Sequence, residues 1–137
     1  MRMLIVEDDK VTSTLLSKLL QRYGECDVAF DGKSAIDKFT SELQQTNSLD
    51  NAPYDVIFLD ISLPEVNGQE VLAQIRDLEQ HQGVSPDNGV PVIIITSHTD
   101  VENVFSAHVS GCSAYINKPY ERAEIKRQLM ELGLVER

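Results

Sequence analysis

"VIFLDISLPE", residues 56–65, decides the fold. Val56, Ile57, Phe58 and Leu59 are apolar without alternation, and the run stops at Asp60, shortly before Pro64. A strand with one wet face alternates apolar and polar positions. A strand apolar throughout is covered on both faces, as in a parallel sheet. "MLIV" (3–6), "PVIIIT" (91–96) and "AYIN" (114–117) read the same way, with "CDVAF" (26–30) a weaker case.

Amphipathic stretches separate these runs. Val11, Leu15, Leu16, Leu19 and Leu20 predict one apolar helix face over 10–23. Ala35, Ile36 and Phe39 mark a second helix, and Val71, Leu72, Ile75 and Leu78 a third. A fourth is expected around 101–110, and a fifth around 121–132 with Ile125, Leu129 and Leu132 inward. Five strands alternating with five helices imply an α/β fold: a three-layer, doubly wound, five-stranded parallel sheet with helices on both faces. Two polar connections, 41–54 and 79–90, read as surface extensions at the edge opposite the strands' carboxyl ends.

The bulk numbers narrow the function classes. A chain of 137 residues suits a single domain, 1–137. A formal net charge of −10 argues against a nonspecific nucleic-acid surface, which would be basic. Cys26 and Cys112 lack CxxC spacing and read as reduced core thiols. No apolar run approaches the roughly 20 residues of a membrane span, and "MRMLIVEDD" turns acidic too early for a signal peptide. The expectation is a soluble cytoplasmic protein.

Ligands of open α/β sheets bind beyond the carboxyl ends of the strands. Glu7-Asp8-Asp9 follow the first strand, Asp60 ends the third, Thr96-Ser97 the fourth and Asn117-Lys118-Pro119 the fifth. Each has an ordinary structural explanation. Acids after a strand cap the next helix, Thr96 can be a satisfied strand-end residue, and Lys118 a solvated charge. Their meeting at one edge is what points to chemistry. Crowded carboxylates repel one another, and a divalent cation with hard oxygen ligands, Mg²⁺ foremost, relieves the conflict while sharing its shell with phosphate. A lysine and a hydroxyl opposite complete a pocket for a phosphoryl group on Asp60.

"LIVEDD", "DVIFLDISLPEVNG", "VIIITS" and "AYINKP", in this order over residues 3–132, resemble the receiver domain of two-component response regulators. The resemblance implies the flavodoxin-like strand order 2-1-3-4-5 and phosphorelay signalling rather than enzymatic turnover, with the domain assisting its own phosphorylation and dephosphorylation. Asp60 is then the phosphoacceptor for a histidine kinase or histidine phosphotransfer protein. Asp8 and Asp9 bind Mg²⁺ (Mn²⁺ being possible) with Asp60 and the Ser62 backbone carbonyl. Thr96 and Lys118 contact the phosphoryl group, and Tyr115 is the aromatic switch. Glu7 is peripheral. Ser97, His98 and Pro119, the last after a possible cis bond, flank the site, and Gly68 matches a loop glycine. The surface formed by 101–110, 114–117 and 121–132 would engage a downstream effector, without direct nucleic-acid or membrane contact, as a monomer or an activation-dependent dimer. With no output motif in view, a stand-alone, chemotaxis-type receiver is expected, an excised domain being the alternative.

Other readings fit less well. A haloacid-dehalogenase-type phosphatase needs a second Asp where Ser62 stands. A flavodoxin-like cofactor binder needs a phosphate loop where Glu7, Asp8 and Asp9 stand. A receiver-like scaffold that is never phosphorylated has no need of Asp8, Asp9, Asp60, Thr96 and Lys118 together.

Overall fold

The computed structural model describes residues 1–45, 53–61, 63, 67–84, 88–96, 113–117 and 121–135. For Gln45, Thr96, Tyr115 and Asn117 the backbone alone is described. Five strands, β1 (Arg2–Val6), β2 (Glu25–Ala29), β3 (Val56–Asp60), β4 (Val92–Thr96) and β5 (Ala114–Asn117), form one parallel sheet in the order β2-β1-β3-β4-β5. The helices are α1 (Lys10–Leu20), α2 (Gly32–Gln45), α3 (Gly68–His81) and α4 (Arg122–Glu131). The helix expected at 101–110 lies outside the described residues.

Alternation along the strands splits the core in two. Leu4, Val6, Ile57, Leu59, Val92 and Ile94 face α2 and α3, meeting Phe39, Val71, Leu72 and Ile75. Met3, Ile5, Val56, Phe58, Ile93 and Ile95 face α1 and α4, meeting Leu16, Leu20, Ile125 and Leu129. Full burial of each such aliphatic side chain is worth about 1.5–3 kcal/mol. β3 lies at the centre and is buried along its whole length, so Asp60 is delivered by the most enclosed strand.

Three elements differ from the sequence reading. The five apolar residues of α1 do not share one face. Leu16 and Leu20 are buried with Ser13, whereas Val11 and Leu15 are 78% and 52% exposed. At 100° per residue, positions 11 and 15 lie well round the helix from the 13/16/20 stripe. α2 runs on to Gln45, so the first part of the 41–54 connection is helical. The 79–90 connection is also fastened. α3 continues to His81, and Gly83 just beyond its Gln82 cap has a φ of 83° that permits the closing bond from Val84 N–H to the Glu79 carbonyl. The buried Glu79 carboxylate then accepts from Val90 N–H at 2.6 Å and from Arg76 at 2.7 Å, fixing where β4 begins.

The amino-terminal edge of the sheet carries its own polar cluster. Arg2 bonds Asp27 at 3.0 Å and Glu42 at 2.9 Å, and its guanidinium lies over the Tyr54 ring. The Tyr54 hydroxyl donates to Asp27 at 2.9 Å, and Asp55 accepts from Arg2 N–H at 2.7 Å. The hydrogen bond and charge of Arg2 hold the Glu42 carboxyl below its usual range. Burial, then Asp27, pushes the Tyr54 phenol upward. β1, β2, α2 and the start of β3 are thereby tied together. At the same edge Cys26 is a free, half-buried thiol raised by burial, consistent with an unreactive core cysteine.

Candidate functional site

At the opposite edge, β1 ends at Val6, one step before Glu7, and β3 ends at Asp60. Register brings these ends level: Val6 pairs with Leu59, Asp60 with Ile95, and Thr96 with Asn117. Asp60 continues the alternation of Val56 and Phe58 and so shares the α1 face of the sheet. Oxygens of Glu7, Asp8 and Asp60 all lie within 4.8 Å of one another, with Glu7 and Asp60 buried and Asp8 exposed. A charged group buried this deeply is costly unless compensated, and two sit here beside a third acid.

Asp9 is placed otherwise than expected. It is the N-cap of α1: its carboxylate accepts from Val11 N–H at 3.0 Å and from the Thr12 hydroxyl at 2.7 Å. It stands outside the group of three clustered carboxylates. Glu7, expected to be peripheral, is inside that group, and its Oε1 also accepts from Asp9 N–H at 3.2 Å. The acid pair beside Asp60 is therefore Glu7-Asp8, one residue earlier than the sequence reading. The signal was present in "VEDDKVT". A strand that stops at Val6 exposes Glu7 first, and Asp followed three residues later by Thr at a helix start is a capping pattern.

α3 begins directly behind Asp60. Asn67 is its N-cap, accepting from Glu70 N–H at 3.0 Å, and Gly68 N–H donates to the Ile61 carbonyl at 3.1 Å. Ile61 N–H in turn reaches the Ile95 carbonyl. Thr96 ends β4 at the expected edge, and the Tyr115 backbone lies in β5 level with Ile94, one row before that of Asp60 and Ile95. Ser62, Ser97, His98, Lys118 and Pro119 lie outside the described residues. Among the described residues, the site thus brings together Asp60, Asp8 and Glu7, with the end of β4 adjacent.

All-oxygen, carboxylate-rich donors suit a hard divalent cation better than a soft metal. An acid cluster at the carboxyl edge of a parallel sheet also narrows the fold family. The family model for the response regulator receiver domain matches residues 3–130. This chain belongs to that family. The receiver is 33% identical over 132 residues to the transcriptional regulatory protein QseB of Haemophilus influenzae, covering 96% of this chain and 52% of that protein. It is 32% identical over 130 residues to probable histidine kinase 2 of Oryza sativa, covering 91% of this chain and 12% of that protein. The receiver thus spans about half or less of these curated relatives, in which similar segments accompany other parts. Among solved structures it resembles the receiver domain of the histidine kinase CKI1 from Arabidopsis thaliana, complexed with Mg²⁺, at 28% identity and a TM-score of 0.79 over 93% of this chain and 90% of that one. The receiver domain of NtrX from Brucella abortus matches at 26% identity and a TM-score of 0.74 over 96% and 97%. The α/β fold, the strand order and membership of the phosphorelay signalling modules all agree with the sequence reading. No helix among the described residues is long and apolar enough to cross a membrane.

Proposed function

We propose that the chain, as a single receiver unit, accepts a phosphoryl group on Asp60 from the phosphohistidine of a histidine kinase or phosphotransfer protein. The observation that carries this reading is the meeting of Glu7, Asp8 and Asp60 within 4.8 Å at the strand ends of a receiver fold. A carboxylate oxygen of Asp60 attacks phosphorus, the P–O bond forms as the P–N bond breaks, and the electron pair leaves with the imidazole nitrogen. The same site would let water attack the acyl phosphate later, so the domain assists both its loading and its clearing.

Glu7, Asp8 and Asp60 form the protein's charged donors to Mg²⁺, with the Ser62 carbonyl completing the set. The bound cation supplies neutralisation of charge on the phosphoryl oxygens. Lys118 pairs with the phosphoryl group and Thr96 hydrogen-bonds it, while Tyr115 reports the change to the surface built from β5, α4 and residues 101–110. Ser97, His98 and Pro119 keep the secondary roles that the resemblance to receivers implies. Asp9 has the positioning role of a helix cap. The CKI1 receiver with Mg²⁺ supports the choice of metal, and the donor set also suits Mn²⁺.

The donor protein docks beside α1. Val11 and Leu15 are exposed one turn apart at the start of α1, and Phe30, just past the end of β2, is 46% exposed with Lys10 over its ring. Exposed apolar side chains on the helix that follows the acid pair suit a protein partner. The phosphorylated surface then binds a downstream effector in the cytoplasm.

The test is intact-protein mass spectrometry after incubation with Mg²⁺ and acetyl phosphate. Wild type gains one phosphoryl group and Asp60→Asn gains none. An unmodified wild type, with the donor verified as active, would leave the scaffold reading in possession.

A further inference from the structure

We propose that Gly68 is a positioning residue for the acceptor, because its bare α-carbon lets α3 seat directly on the backbone of Asp60 and Ile61. A Cβ built at Gly68 would lie 2.5 Å from Ile61 Cα and 2.6 Å from the Asp60 carbonyl oxygen. Both are backbone atoms, so no side-chain rotation relieves the clash. Gly68 is not needed for a left-handed turn, since it opens α3 in helical geometry. Its requirement is purely one of approach.

Two hydrogen bonds use that approach. Gly68 N–H donates to the Ile61 carbonyl, and Ile61 N–H donates to the Ile95 carbonyl of β4. The residue after the acceptor is thus gripped from both sides, by the helix and by the neighbouring strand. Its grip sets where the chain leaves Asp60, and so where the Asp60 carboxylate stands relative to Glu7 and Asp8. Any side chain at 68 pushes the helix from this backbone or the backbone from the acids. Displacements of this size cost reactivity steeply, since about 1 Å can lower a rate roughly a hundredfold.

This inference rests on the reading of Asp60 as acceptor, and its test separates the two. Gly68→Ala is compared with wild type and with Ile75→Val, which thins the α3 core contact far from the acids. Mg²⁺ affinity is measured by calorimetric titration and phosphorylation rate with acetyl phosphate. Gly68→Ala is expected to bind Mg²⁺ about tenfold more weakly and to react about tenfold more slowly, whereas Ile75→Val loses stability and keeps both values. Wild-type affinity and rate in Gly68→Ala, or equal losses in both variants, overturn the proposal. A wild type that binds Mg²⁺ but is not phosphorylated sinks the acceptor reading alone, because the affinities still decide the role of Gly68. A wild type that binds no Mg²⁺ sinks both. If Gly68→Ala does not fold, amide exchange in wild type decides: the Gly68 amide should exchange more slowly with Mg²⁺ bound, and an unchanged rate overturns the proposal.

Discussion

The two edges of the sheet both collect acids, and they organise them in opposite ways. At the amino-terminal edge, Asp27 and Glu42 flank the Arg2 guanidinium, Asp27 also receives the Tyr54 hydroxyl, and Asp55 caps Arg2 N–H. Acids gather round one cation. At the carboxyl edge, Glu7, Asp8 and Asp60 bring like charges together, two of them buried. The first arrangement is complete in itself and serves to join elements. The second brings together repulsion that a bound cation would relieve, as a binding site needs and a structural clamp avoids.

The largest contrast is in the response to metal. Mg²⁺ at roughly a hundred times its dissociation constant should stabilise the protein by about 2.7 kcal/mol, read as a rise in melting temperature. Glu7→Gln or Asp8→Ala is expected to remove most of that rise. Asp9→Ala is expected to keep it while lowering the baseline by roughly 1 kcal/mol for the lost cap. The reverse pattern, with Asp9→Ala blind to Mg²⁺ and Glu7→Gln responsive, would restore Asp8-Asp9 as the acid pair.

A smaller effect concerns the apolar rim. Val11→Ser with Leu15→Ser should slow phosphotransfer from a cognate phosphohistidine protein by about tenfold, the equivalent of roughly 1.4 kcal/mol of docking energy. Phosphorylation by acetyl phosphate should be unaffected. Equal slowing with both donors would mean that the substitutions disturb the site and not a docking surface.

The clamp edge should show ordinary stability effects and no metal effect. Tyr54→Phe removes a hydrogen bond to a charged acceptor, a loss of about 1.5–3 kcal/mol, measured by urea unfolding. A changed Mg²⁺ increment in this variant would show that the edges are coupled. The smallest effect belongs to Glu42. Its carboxyl is held below the usual range by Arg2, so its stabilisation is present above the unfolded-state value and fades as pH falls through the folded-state value. The pair is partly exposed, which limits the contribution to under about 1 kcal/mol. Wild type and Glu42→Gln should differ by this amount at neutral pH and converge below the ordinary glutamate range. A gap that persists in acid would assign the effect to packing.

Much of this was legible in the residues. Runs such as "VIFL" and "VIII" can hardly be anything but strands covered on both sides, and the helical spacing of Val71, Leu72 and Ile75 leaves little choice of face. Two kinds of information were hidden. The inward stripe of α1 was ambiguous, because two apolar residues on that helix, Val11 and Leu15, face solvent. In the run of three acids the cap is marked only by its distance from the strand: with β1 stopping at Val6, Glu7 is the first acid beyond it and Asp9 stands at the start of α1. The polar 79–90 segment misled for a similar reason: a glutamate in a polar stretch looks solvated, yet Glu79 is buried and bonded to Val90.

That bond has a consequence for how such a chain can vary. Because Glu79 holds Val90 against the end of α3, the two ends of the 79–90 connection are fixed to each other by one carboxylate. Insertions or deletions between those ends should leave the start of β4 where it is, and with it the register of its carboxyl end. The segment is a place where length can change while the carboxyl edge of the sheet keeps its dimensions.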